Sequence, residues 1–267
     1  MPPDFNDPDQ SDAAFASFGF ATVAATEKAN LVRDVFDSVA PRYDLMNDLM
    51  SAGVHRLWKS TLIDRLAPQP GRRLLDMAGG TGDVAASFLA RAKSRKGAQG
   101  RPPASAIICD VNDSMLRVGK ASTAPAGAAA LGAMWVCGDA EQTPLPDASV
   151  DLYTISFGIR NVTRIEKALR EARRVLRYGG RFLCLEFSQP TVGALRAAYD
   201  AYSFNVIPAL GEFVTSDRES YVYLVESIRR FPTQERFARM IADAGFRRVG
   251  YENLSGGVAA IHFGAKV

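Results

Sequence analysis

The stretch that decides the fold is Leu74-Leu75-Asp76-Met77-Ala78-Gly79-Gly80-Thr81-Gly82-Asp83. An apolar run ending in an acid reads as a buried strand, and the glycine-rich turn after it opens a helix. Glycines at this junction let the backbone turn tightly and come close to a bound molecule. The motif alone leaves two cofactors open. Gly80-Thr81-Gly82-Asp83-Val84-Ala85 also satisfies the G-x-G-x-x-G/A pattern of dinucleotide sites. Charge separates them. A pyrophosphate seeks the backbone N–H groups of a helix N-terminus, and Asp83 and Asp76 work against it there. S-adenosylmethionine carries an ammonium and a sulfonium and no phosphate, so nearby carboxylates favour it.

Working outward, strand-like runs fall at 73–77, 106–110, 134–137, 150–156 and 181–187, and helix-like runs at 83–93, 114–120 and 164–177. Alternation of this kind predicts a parallel doubly wound sheet. Gly179-Gly180 reads as a helix C-cap before the fifth strand. The tail changes rhythm: runs at 248–254 and 258–266, joined by Ser255-Gly256-Gly257, predict a closing antiparallel hairpin. Upstream, helical spacing marks Val32, Val35, Phe36 and Val39, then Leu45, Met46, Leu49 and Met50, then a third helix at 54–66. The expected architecture is α/β, a Rossmann-like seven-stranded, mostly parallel sheet of class I methyltransferase type. Helices lie on both faces, beneath an N-terminal helical cap.

The 267 residues suit one large domain. Its expected parts are a disordered acidic segment at 1–26, helices at 27–70, a cofactor-binding half at 71–190, a helical substrate lid at 191–245 and the hairpin at 246–267. A net charge of +3 is too small to argue for nucleic acid. Cys109, Cys137 and Cys184 have no C-x-x-C spacing, so buried thiols in a reducing compartment are expected, without metal. Four aspartates and no Lys or Arg in residues 1–26 argue against a secretory or transit leader, and a bacterial cytoplasm is the expected address.

Two further carboxylates fit the methionine-nucleoside reading. Asp110 closes the second strand run, where an acid can accept the ribose hydroxyls, and Asp139-Ala140 follows the third, facing the adenine edge. An NAD enzyme would use Asp110 in the same way, so that residue supports a nucleoside without choosing the cofactor. The basic insertion at 94–103 accounts for the long spacing between loop and acid.

The chain resembles the ubiquinone/menaquinone biosynthesis C-methyltransferases. The likeness rests on Val35-Phe36-Asp37-Ser38-Val39-Ala40-Pro41-Arg42-Tyr43-Asp44-Leu45-Met46-Asn47-Asp48, His55-Arg56-Leu57-Trp58-Lys59 and Ile155-Ser156-Phe157-Gly158-Ile159-Arg160-Asn161-Val162. The glycine loop and Leu185-Glu186-Phe187-Ser188 extend it. The resemblance implies transfer of a methyl group from S-adenosylmethionine to a ring carbon of a polyprenylated benzoquinol or demethylmenaquinol. Carried over by position, Thr81, Asp110, Asp139, Ala140 and Ser156 would touch the cofactor, together with the loop residues Asp76, Gly79, Gly80 and Gly82. Tyr178-Gly179-Gly180 departs from the family's Pro-Gly-Gly.

A quinol carbon becomes nucleophilic when a ring hydroxyl loses its proton. Arg160 is the expected phenolate stabiliser and Asn161 the group that orients a water; Tyr43, Tyr199 and Tyr202 are expected substrate contacts. Arg91, Lys93, Arg95, Lys96 and Arg101 form a basic cluster suited to anionic lipid, so contact with the inner face of the cytoplasmic membrane is a companion expectation. Quinone-biosynthesis proteins or a second copy are the protein partners considered. The competing functions are methylation of another phenol, a sterol or RNA, and a non-catalytic cofactor-binding subunit. An NAD-dependent oxidoreductase is the rival from another class.

Overall fold

The computed structural model describes residues 15–39, 48, 51, 53–95, 100–122, 132–191, 193, 202 and 218–267. Its centre is a seven-stranded sheet. The order runs β5 (Ala133–Cys137), β4 (Ser105–Asp110), β3 (Arg73–Met77), β6 (Val150–Ser156), β7 (Leu176–Phe187), β9 (Ala259–Ala265), β8 (Arg247–Leu254). The first five are parallel, and β9 runs antiparallel to both β7 and β8. This is the expected sheet, hairpin included.

The central strands are near-continuous apolar runs because both of their faces are covered. Alternate residues feed two cores. Leu74 and Leu183 join Leu62, Phe88 and Leu224 on one face, while Leu75, Tyr153 and Phe182 join Leu169 and Phe237 on the other. Helices α2 (His55–Leu66), α3 (Asp83–Ser94), α4 (Asp113–Ser122) and α6 (Arg218–Arg230) cover the first face. Helices α5 (Ile165–Val175) and α7 (Gln234–Asp243) cover the second. Among the described residues, no helix is long and apolar enough to cross a membrane.

Two expectations change. Residues 15–24, taken as disordered acidic chain, form an antiparallel hairpin of β1 (Phe15–Phe18) and β2 (Ala21–Ala24) ahead of α1 (Ala25–Val39). Distant groups hold it: Phe18 stacks on Tyr223 at 4.2 Å, and the Phe20 N–H donates to Glu226 at 2.8 Å. Two strands need such support, since an isolated hairpin is marginal in water.

Gly179-Gly180 is not a helix cap. Helix α5 ends at Val175, and the fully buried Leu176 already pairs with Val150. The glycines form a bulge where the register jumps to Leu152↔Arg181. At Gly180 a Cβ would lie 2.7 Å from the Arg177 carbonyl oxygen, so the backbones approach too closely for a side chain.

His262 shows what the core demands of a polar group. It is buried beside Phe237 in β9, and its neutral ring donates Nε2–H to the Gln234 carbonyl at 3.0 Å. Burial pushes its pKa down to about 4, against the opposing pull of that carbonyl. The unfolded chain takes up the proton near pH 6.5 and the folded chain resists until about 4, so stability is full above 6.5 and drains below it. The loss expected by pH 4 is on the order of 3 kcal/mol. Urea midpoints at pH 8 and pH 5 test this: the acid drop should shrink in His262→Gln. An equal drop would assign it to other groups.

Candidate active site

The strand order reverses between β3 and β6, and at such a switch the loops after the C-terminal strand ends part to leave a crevice. Here the space between the loops amounts to about 890 Å³, open solvent at its mouth included. Its walls come from each strand end: Met77, Ala78 and Gly80 after β3, Asp110, Val111 and Asn112 after β4, Gly138–Glu141 after β5, and Phe157, Gly158 and Asn161 after β6.

The glycine loop is held from below. Gly79 donates its N–H to the Cys109 carbonyl at 3.1 Å, and Gly80 donates to Asp110 Oδ2 at 2.9 Å. Gly82 adopts φ 78° at the start of α3, and a Cβ there would lie 2.8 Å from Trp135 and 2.9 Å from Ile108. Conformation and space both require glycine at that position.

Asp110 is anchored on the wall by the backbone. Its Oδ1 accepts from the Asn112 N–H at 2.9 Å, as Oδ2 does from Gly80. Burial raises its pKa, and those two backbone donors oppose the rise. Asp139 stands exposed beside it, its Oδ1 accepting from the Glu141 N–H at 2.8 Å, and the buried Ala140 follows. Asp76, Gly79, Thr81, Gly82 and Ser156 do not form the wall. Asp76 lies buried beneath the loop and accepts from the Ala85 N–H at 3.2 Å; burial, then the charge of Asp83, holds its pKa well above the carboxylate range. The Ser156 hydroxyl is buried, with no hydrogen-bond partner among the described residues.

Asp83 does not act as expected. It points outward and binds Lys59 Nζ at 2.5 Å, so its charge is spent on α2 rather than on the crevice. The wall acids Asp110 and Asp139 carry the electrostatic argument instead. The sequence reading missed Glu141, which is buried and accepts from the backbone and side chain of Arg164 at 2.9 and 2.7 Å.

Asn112 was also missed. Its Oδ1 accepts from the Met115 N–H at 3.0 Å, the side-chain cap of α4, and its Nδ2 donates to Asp37 at 2.9 Å. An Asn two residues after a strand-ending Asp, followed by a helical pattern, was the available signal. Helix α1 crosses the mouth, laying Ala29, Val32, Arg33 and Phe36 on the wall. Lys28 fastens its other end, donating to the Val162 carbonyl at 3.1 Å; burial lowers its pKa to about 8, against the pull of Glu141.

Arg160 and Asn161 share the short 3-10 turn Ile159–Asn161 and part company there. Asn161 faces the crevice, and its Oδ1 accepts the Tyr223 hydroxyl at 2.9 Å. The Arg160 side chain is 3% exposed, pairs with Glu186 at 2.7 Å and donates to the Phe157 carbonyl at 2.6 Å. It is not on the wall. Its guanidinium, expected to meet a ring oxygen, is held here by a buried carboxylate. Tyr43 and Tyr199 lie outside the described residues, and Tyr202 is half-buried against the first core, where burial raises its phenol pKa.

Comparison with known proteins agrees with this geometry. The model of the ubiE/COQ5 methyltransferase family matches residues 22–266. The ubiquinone/menaquinone biosynthesis C-methyltransferase UbiE of Paracoccus denitrificans is 58% identical over 250 residues, 94% of this chain and 96% of that one. The mitochondrial 2-methoxy-6-polyprenyl-1,4-benzoquinol methylase of Danio rerio is 52% identical over 284 residues, 97% of this chain and 86% of its own length. A solved S-adenosylmethionine-dependent methyltransferase of Thermotoga maritima, titled a possible histamine N-methyltransferase, superposes with TM-score 0.58 at 19% identity. It covers 88% of this chain and 99% of that one. At that identity the likeness concerns the fold alone. With one family's pattern spanning residues 22–266 and a seven-stranded sheet that opens a crevice over an anchored acid, the chain belongs to the ubiE/COQ5 family of S-adenosylmethionine-dependent C-methyltransferases.

Proposed function

We propose that the chain methylates a ring carbon of a polyprenylated benzoquinol, a demethylmenaquinol, or both. The observation that carries this is the crevice wall itself. Asp110, tied to two backbone N–H groups, stands where a nucleoside ribose sits in this fold, and Asn161 stands across the crevice on the loop after β6. The activities for which the relatives are named supply the acceptor class.

S-adenosylmethionine would bring an electrophilic methyl carbon on a positive sulfur. The residues present fit it: the wall offers the carboxylates Asp110 and Asp139 to a cationic ligand, and apolar Val111, Met115 and Ala140 would suit its base. Asp110 and Asp139 would hold the nucleoside, with Gly80 giving the backbone close approach. Asn161 would hydrogen-bond a ring hydroxyl as its proton passes to a water at the crevice mouth. Phe157, Gly158 and the α1 residues Val32 and Phe36 exclude water from the space between, where orientation supplies most of the rate.

Work on so apolar an acceptor sets the enzyme at the inner face of the bacterial cytoplasmic membrane. Exposed Lys93, Arg95 and Arg101 support that reading; Arg91 is tied to Asp64 and Ser60, and Lys96 lies outside the described residues. Quinones extracted from a strain lacking this gene test the function. A demethyl quinone should accumulate and disappear on complementation, and fractionation of the complemented cells checks the address. An unchanged quinone profile would overturn the proposal.

A further inference from the structure

The contact between Tyr223 and Asn161 has a chemical direction. Tyr223 lies on α6, only 4% exposed, and its hydroxyl is 2.9 Å from Asn161 Oδ1. A buried phenol must place its proton on an acceptor, and Oδ1 is the acceptor found among the described residues. With Oδ1 so occupied, the carboxamide is locked in one of its two flips, and the remaining polar edge is the Nδ2 amine. Phe18 of the N-terminal hairpin stacks on the Tyr223 ring from outside, at 4.2 Å and 20°. The hairpin is held in turn by Glu226 and Arg230 of the same helix.

We propose that Tyr223 is a positioning residue. It fixes Asn161 as a hydrogen-bond donor toward the crevice, so the site stabilises an acceptor oxygen as it becomes negative. The inference deepens the quinol-methylation reading and rests on it. The opposite flip would turn Oδ1 inward, where it would hold the ring hydroxyl protonated and the ring carbon weakly nucleophilic.

The surroundings suit a permanent donor. Burial raises the pKa of the phenol, with Arg160 opposing and Glu186 adding to the rise, so the hydroxyl keeps its proton at every pH the enzyme meets. The charged groups that bear on it, Arg160 and Glu186, neutralise each other at 2.7 Å. What Tyr223 transmits to Asn161 is therefore a hydrogen bond rather than a charge. Nothing in composition announced this: residues 161 and 223 are 62 apart in sequence.

The test uses the full-length enzyme with S-adenosylhomocysteine and 4-nitrophenol, whose phenolate absorbs where the phenol does not. In Tyr223→Phe, which keeps the ring against Phe18, bound nitrophenol should titrate about one pH unit higher than in wild type, roughly a tenfold loss of donor strength. Turnover on the demethyl quinol should fall about tenfold in kcat, with an unchanged KM for S-adenosylmethionine. Asn161→Asp keeps an acceptor for Tyr223 but removes the amine, so its shift should have the same sign and at least the same size. Wild-type ionisation of nitrophenol in either variant would overturn the proposal. Wild-type enzyme that methylates no quinol would instead overturn the functional reading, and the nitrophenol titration would still stand as a test of the donor.

Discussion

Asp110→Ala should weaken S-adenosylmethionine binding by at least about 100-fold while the chain stays folded. The carboxylate does two jobs at once. It accepts the Gly80 and Asn112 N–H groups at 2.9 Å each, which sets the distance between the loops after β3 and β4. It also keeps lone pairs on the crevice wall for the two ribose hydroxyls. Hydrogen bonds to a charged group contribute about 1.5–3 kcal/mol each, so losing two to the ligand costs about 3 kcal/mol or more, or at least 100-fold in Kd.

The effect on the fold is smaller than those bonds suggest. Burial already disfavours the charged carboxylate, and its pKa is raised for that reason, so removing it relieves a desolvation cost as it frees two donors. Asp110→Asn should bind almost as poorly as Ala, because one of its two edges must present N–H to a backbone N–H. Asp139→Ala should lose about tenfold, since that acid is exposed and shares its contact with solvent. Calorimetric titration, with circular dichroism as the check on folding, measures all three. Wild-type affinity in Asp110→Ala would remove this acid from the site.

How much of this was legible in the chain divides along physical lines. Strands β3 and β6 were readable to the residue because buried parallel strands are apolar runs that end where the ligand crevice begins. Strand-end acids were legible for the same reason: Asp110 and Asp139 interrupt or follow such runs at the sheet's functional edge. What the sequence hid were choices between partners. Asp83 could face the crevice or Lys59, and Arg160 could face a substrate or Glu186, and no local pattern decides between them. The hairpin at 15–24 was hidden more deeply. Its supports, Tyr223, Glu226 and Arg230, lie more than 200 residues downstream, and its own short strands carry little propensity signal. The opposite error occurred at Gly179-Gly180, where a strong local cap signal lost to the burial of Leu176 in the sheet.

Glu186→Ala should destabilise the fold by about 3–5 kcal/mol, because it leaves the Arg160 guanidinium buried without a counter-charge. For a chain of this size that is a fall in Tm of roughly 6–20 °C. The pair has side-chain exposures of 3% and 1%, so solvent cannot rescue the widowed charge. Glu186 also accepts from the Phe187 N–H at 2.9 Å, which Ala gives up as well. Removing both charges is a different matter. Replacing a buried pair with apolar groups of similar size is often neutral, so Arg160→Met combined with Glu186→Leu should recover much of the lost Tm. Recovery should be incomplete, because Arg160 also donates to the carbonyl of Phe157, which sits at φ 56°. That strained turn leads directly into Gly158 and Asn161 on the crevice wall. The double variant therefore separates two roles for Arg160. If it braces the turn, the refolded double variant should bind cofactor normally and lose activity only in proportion to the loosening of Asn161, about tenfold. If instead its charge stabilises the acceptor oxygen, as its place in the sequence suggested, activity should stay at least 100-fold down in a protein that is folded and loaded. The 2.7 Å contact with Glu186 argues for the first outcome, since a guanidinium neutralised in the core has little charge left to lend.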